Sequence, residues 1–209
     1  MSCELLIGRT EPCKDSLGGL KAVYFFNEEP DVTYFTDTEN ILTPPTVATA
    51  EMYHDIIKQI SGVSALYKFE LKANENTYVE NVLSDRSNGT TVYQQVLNIK
   101  LKKQDATTHK YLKLLAYGKV RVIVQNNNNQ FFLMGLKFAA EVTGGNITSG
   151  GQLVDHNGYT LTLTSDELKP APFLLMSNES ELIRTEGQIT GQGVFDFGTA
   201  LITDNSLVD

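Results

Sequence analysis

Residues 158–165 read GYTLTLTS. In an extended chain successive side chains point to opposite faces, so Tyr159, Leu161 and Leu163 share one side and Thr160, Thr162 and Thr164 the other. The apolar side suits a core. A solvated strand usually carries Lys, Glu or Arg on its outer side, whereas three hydroxyls pair well across strands and suit a second polar surface. This stretch predicts a strand with one face in the core and the other against something polar.

Working outward, the same alternation recurs. KAVYFF (21–26) is a short apolar run rich in aromatics. ALYKFELK (65–72) sets Tyr67, Phe69 and Leu71 against Lys68, Glu70 and Lys72. TVYQQVLNIKLK (91–102) sets Tyr93, Gln95, Leu97, Ile99 and Leu101 against Gln94, Val96, Asn98, Lys100 and Lys102. All three predict strands, with a polar segment between the second and third that turns at SerAsnGly, 87–89. KVRVIVQ (119–125) and QFFLMGLKFA (130–139) flank Asn126 to Asn129, a loop of hairpin length. One helix is expected in THKYLKLLAYG: Asp105 or Thr107 caps it, Tyr111, Leu112, Leu114 and Leu115 form its apolar stripe against a sheet, and Gly118 ends it. ATAEMYHDIIKQISG, from Ala48, reads as a second helix, with Met52, Ile56, Ile60 and Tyr53, Ile57 at helical spacing and Gly62 after it, although IIKQI also suits a strand. Residues 31–47 and 143–152 read as long polar loops, the latter flexible.

The 209 residues are 41% hydrophobic and 20% charged, with 16 Gly and 6 Pro, a composition that excludes global disorder. No run approaches the roughly 18 apolar residues of a membrane span, and MSCELLIGRT lacks the features of a secretory leader, so neither membrane insertion nor secretion is expected. Sequons at Asn88, Asn146 and Asn178 then read as turn chemistry. Cys3 and Cys13 are the only cysteines, too few for a disulfide framework or a zinc site.

Catalytic signatures are missing. His54, His109 and His156 are widely separated, and no metalloprotease, nucleophile-elbow, phosphate-loop or dinucleotide motif occurs. Asp155 beside His156 belongs to AspHisAsnGly, good turn composition, and GGNITSGG has no basic residue or following helix to make a phosphate cradle. The expectation is a protein without catalytic residues, metal or cofactor.

Charge is distributed unevenly. The net charge of −8 excludes general nucleic-acid binding, which needs clustered cations. Yet Lys100, Lys102, Lys103, Lys110, Lys113, Lys119 and Arg121 fall within 22 residues opposed only by Asp105, a +6 stretch, while the remainder holds ten bases against 24 acids, a balance of −14. Such a patch is either the solvated side of packed elements or a face that meets the acidic face of an identical neighbour, a head-to-tail contact that builds rings or filaments.

The order from GLKAVYFFNEE through YKFELK, VYQQVLNIKLKKQDATTHKYLKLLAYGKVRVIVQ and FFLMGLKFAAEVTGGNITSGGQLVDHNGYTLTLT to PAPFLL resembles the tail tube proteins of tailed phages, particularly those of siphoviruses and of prophages in Bacteroidetes-type hosts. The resemblance covers roughly residues 17–176 and rests on element order and on LKLLAYG, AAEVTGG and GYTLTLT. It implies a mainly β fold, a β-sandwich or barrel-like domain over 1–178 with one flanking α-helix, and an extension over 179–209 that is an arm or an added hairpin. It further implies homo-hexameric rings, strands joining between subunits into an inner barrel, and stacking around a channel through which DNA passes unbound. The 65–72 and 91–102 strands would line or border that channel, and Thr160, Thr162 and Thr164 would lie against a neighbouring sheet or subunit. Partners would be further copies and other tail proteins, not a membrane, and the location the virion tail after synthesis in the host cytoplasm. Two other classes stay open: a low-copy neck or tail-tip protein with a tube-like fold, and a carbohydrate-binding β-sandwich, which usually wants exposed Trp or Tyr platforms; this chain has no Trp.

Overall fold

The computed structural model describes residues 14, 16–34, 56–72, 75–174, 176, 194–195 and 201–203. They form thirteen strands and one helix: β1 Leu20–Phe26, β2 Asp31–Tyr34, β3 Ile56–Ser61, β4 Leu66–Glu70, β5 Thr77–Asp85, β6 Thr90–Lys102, α1 Ala106–Tyr117, β7 Arg121–Asn126, β8 Phe131–Met134, β9 Glu141–Thr148, β10 Gly158–Glu167, β11 Phe173–Leu174, β12 Val194–Phe195 and β13 Leu201–Thr203. The protein is mainly β. Its strands divide into a nine-stranded sheet, ordered β12-β3-β11-β8-β7-β1-β4-β13 with β2 paired to β3, and a four-stranded sheet ordered β5-β6-β10-β9.

The larger sheet cannot be flat. From Ser61 to Leu66 is five Cα steps, at most about 18 Å, whereas β3 and β4 lie five strand spacings apart, about 24 Å in a plane. The sheet therefore curls, and its strands are buried on both faces. Ala22, Tyr24 and Phe26 of β1, Ile123 of β7 and Phe131 and Leu133 of β8 fill one cluster with Ile57, Ile60 and Leu66. The alternate residues Val23, Phe25, Val122, Val124, Phe132 and Met134 fill a second cluster with Leu97, Ile99 and Leu163 of the smaller sheet. Two-sided burial explains why KAVYFF, VRVIV and FFLM read as continuous apolar runs.

At one end of the space between the sheets the contact is polar. Gln95 Oε1 accepts the Gly135 N–H at 3.0 Å, Glu167 Oε1 accepts those of Lys137 and Phe138 at 2.9 Å each, and Glu80 Oε1 accepts that of Ala171 at 3.1 Å. These acceptors hold the segments through which the chain crosses from β8 to β9 and from β10 to β11. The first crossing turns at Gly135, φ +72°, and at Ala139, φ +61°.

The 126–129 hairpin and the helix agree with expectation: β7 and β8 pair antiparallel, and the Asp105 carboxylate caps α1 by accepting from Thr107 and Thr108 N–H. Gly118 follows the helix in extended conformation, φ −103°, not left-handed. The apolar stripe is narrower than expected. Leu112 is buried, whereas Tyr111, Leu114 and Tyr117 are exposed.

Four expectations need correction. Residues 56–61 of the expected second helix are strand β3; 48–55 lie outside the described residues. Its pairing with β2 skips Lys58, because Val32 to Thr33 meet Ile60 to Gln59 but Tyr34 meets Ile57. Such a bulge turns Ile57 and Ile60 to one cluster at a spacing of three, which imitates a helix. Of the expected 143–152 loop, 143–148 belongs to strand β9: Gly145 faces β10 where a Cβ would sit 2.7 Å from the Thr160 carbonyl, so glycine there marks close backbone approach. Asp31–Tyr34 of the other expected loop is β2, and 35–47 lies outside the described residues. The polar segment after 72 contains β5, so the 91–102 strand pairs with β5 and β10, while the 65–72 strand sits in the other sheet. The 179–209 extension contributes β12 and β13, which pair parallel with β3 and β4.

Candidate assembly surface

The four-stranded sheet has two faces. Registers Tyr159↔Leu101, Leu161↔Ile99 and Leu163↔Leu97 place one set of side chains toward the shared cluster. The other set follows from Thr160↔Lys100, Thr162↔Asn98 and Thr164↔Val96, continued on β5 by Asn98↔Thr77 and Val96↔Val79 and on β9 by Thr160↔Asn146 and Thr162↔Gly144. This second face carries hydroxyl, amide and small groups on β10 and β9 and the apolar Val79, Leu83, Val92 and Val96 on β5 and β6, and among the described residues nothing packs over it.

Side-chain hydrogen bonds knit it together. Thr162 Oγ1 donates to Asn98 Oδ1 at 2.8 Å, and Asn98 Nδ2 donates to Thr77 Oγ1 at 3.3 Å, a ladder across three strands. Thr164 and Thr143 hydroxyls lie 2.9 Å apart, and Thr160 Oγ1 reaches the Asn146 carbonyl at 3.4 Å. The three threonines are half-buried by their neighbours in the sheet, with their polar atoms satisfied and no net charge among them.

The basic residues do not form one patch. Arg121 is 7% exposed and structural: Nε donates to the Leu136 carbonyl at 3.1 Å, Nη1 to that of Glu28 at 3.2 Å, and Nη2 lies 3.8 Å from Glu29. Lys119 pairs with Glu141 at 2.7 Å. Lys100, half-buried on the threonine face, pairs with Glu75, whose carboxyl is held below its usual range by the bond and charge of that lysine. Lys102 ends β6, Lys103 follows it at φ +65°, and Lys110 and Lys113 stand exposed on α1. These four remain as an exposed basic margin at one end of the smaller sheet and beside it.

Asp155 and His156 sit in a turn. The Asp155 carboxylate accepts the N–H groups of Gly151 and Gln152 at 2.8 and 2.7 Å, which lower its proton affinity. His109 lies against the Tyr159 ring, centroids 6.2 Å apart, and His54 lies outside the described residues. Among the described residues no group of three or more His, Cys, Asp or Glu could hold a metal ion, and no helix is long and apolar enough to cross a membrane.

Sequence reasoning missed the polar clamps between the sheets. Their signal was present, since Gln95 occupies an inward position in the alternation of 91–102, where an amide needs a buried partner. It also missed β5, and with it the identity of the sheet's edges.

The class that the fold defines is a mainly β protein of two sheets and one short helix. No protein-family model, curated protein or solved structure matches the chain.

Proposed function

We propose that the protein is a structural subunit of a phage tail tube: a β-sandwich whose four-stranded sheet joins those of identical neighbours into a ring, with rings stacked around a channel for DNA. The observation that carries this reading is the pair of edges of that sheet. Because β5-β6, β6-β10 and β10-β9 are each antiparallel, edge strands β5 and β9 run in opposite directions, and they are nine and eight residues long. Repetition about an axis then sets β9 of one copy beside β5 of the next, antiparallel and matched in length, and a closed ring leaves no edge exposed.

With six copies, as the sequence resemblance implies, the barrel has twenty-four strands. At about 4.8 Å per strand and about 40° tilt its backbone diameter is roughly 48 Å, ample for a DNA duplex. The larger sheet lies outside, so the threonine face lines the channel. A lining of hydroxyls, amides and valines, with Lys100 already paired and Lys102 at its margin, offers DNA few free cations, which favours passage over binding.

Negative-stain images of the purified chain test this. Sixfold rings with a stain-filled centre, stacking into tubes, are expected. Monodisperse monomers at high protein concentration would remove the proposal, and closed rings that never stack would favour a neck or tail-tip role.

A further inference from the structure

The β9–β10 connection ends in the most exposed apolar side chains among the described residues, Leu153 at 108% and Val154 at 89%. They are the central residues of a turn tied by the Asp155 carboxylate, so they are presented on a built loop. Exposed branched side chains at a hydrogen-bonded tip mark a contact site. At the other end of β10, nine residue steps or about 30 Å away, lies a cavity of about 200 Å³ walled by Tyr34, Leu136, Leu168, Pro170 and Pro172. Its polar groups are already engaged inside the chain, Gln95 with Gly135 and Glu167 with Lys137 and Phe138.

Charge at the two ends is complementary. The tip carries Asp155, and two exposed lysines, Lys137 and Lys169, line the cavity. Beside the tip β6 ends in Lys102, with Lys103 following it, whereas beside the cavity the smaller sheet ends in Asp85 and Asp166, all exposed. A copy displaced along β10 therefore sets the apolar tip against the apolar cavity wall, with Asp155 toward Lys137 and Lys169 and the Lys102 end toward Asp85 and Asp166.

We propose that the Leu153–Val154 tip of one copy seats in the Leu168–Pro170 cavity of the next, a head-to-tail contact between identical chains. Tip and cavity are different surfaces, so the contact does not close on itself and repeats without limit. In the ring reading, on which the placement of this contact rests, it is the joint between successive rings; the contact itself requires only two copies.

A chain with Cys3→Ser and Cys13→Ser, carrying Leu153→Cys and Leu168→Cys, is treated with a short bis-maleimide under assembly conditions, and run beside the two single-cysteine chains. A ladder of linked multimers from the double variant, with no more than dimers from either single variant, is expected whether or not rings are seen. Absence of the ladder in material that shows rings by negative stain overturns the tip contact and leaves the ring standing; absence of both ladder and rings overturns both. As a second reading, Leu153→Asp with Val154→Asp leaves the core untouched and is expected to yield rings that do not stack. Tubes of normal length from that variant overturn the proposal.

Discussion

Glu167 joins the two sheets at the point where the chain leaves one for the other, and its removal has a calculable cost. Its carboxylate is 5% exposed as a residue and accepts the N–H groups of Lys137 and Phe138 at 2.9 Å each, with the Ser165 hydroxyl at 3.4 Å. Glu167→Ala strands two backbone donors. A buried unsatisfied donor costs about 1–3 kcal/mol, and the neighbouring cavity opens a route for water, so the low end applies to each and the sum is about 2–3 kcal/mol. For a chain of this size each kcal/mol moves Tm by about 2–4 °C, so the melting temperature should fall by about 4–12 °C. Glu167→Gln keeps an acceptor oxygen in the same place and should recover more than half of the loss. Thermal unfolding followed by circular dichroism is the assay. A Glu167→Ala protein within about 1 °C of wild type would refute the view that this carboxylate couples the sheets, and so would a Gln variant no better than Ala.

Gly135→Ala should destabilise measurably by urea titration, because φ is +72° and the added Cβ would lie 2.8 Å from the Ala140 nitrogen; an unchanged midpoint would contradict the strain argument. Lys103→Glu, Lys110→Glu and Lys113→Glu together should leave a folded subunit that fails to assemble at low salt and recovers in part at 1 M, where screening acts within about 3 Å; normal assembly at low salt would reduce these lysines to solvated side chains. Thr160→Lys with Thr162→Lys and Thr164→Lys should make assembled tubes retain DNA with steep salt dependence, and retention no greater than wild type would take this face out of the channel. Asp85, Asp105 and Asp155 hold their protons less tightly than usual, chiefly through bonds from the Ser87 hydroxyl, the Thr108 N–H and the Gly151 N–H respectively. A depressed folded-state pKa gives stability that is present above the unfolded value of about 3.9 and lost as pH falls through the folded one. Tm should therefore drop below about pH 4, and more shallowly in the triple Asn variant; identical slopes would dismiss these carboxylates as acid-sensitive contacts.

Glycine placement shows what kind of information the chain carries openly. Gly145 is set by a backbone neighbour on another strand, Thr160, so its role appears only when the two segments meet, whereas Gly135 is set within its own crossing by Ala139 and Ala140. The same holds for the basic residues. Counted along the chain they make one cluster; in space Arg121 turns inward to two carbonyls, Lys119 and Lys100 find carboxylates, and four remain exposed.

What the sequence determined by itself is local and periodic. GYTLTLTS and TVYQQVLNIKLK fixed their own inner and outer faces, because a period of two needs no partner to be read, and Asp105 or Thr107 marked the start of α1 because a cap bonds within its own turn; the structure selects Asp105. Tertiary structure alone decided which strands are edges, that β3 is a strand, and that GGNIT pairs with β10. Each depends on a contact partner far away in the chain: a bulge opposite Tyr34 let Ile57 and Ile60 share a face at helical spacing, and two glycines joined a strand because β10 approaches too closely for any side chain at Gly145. Periodicity records how a segment meets water and core; pairing is a property of two segments at once, and no single stretch encodes it.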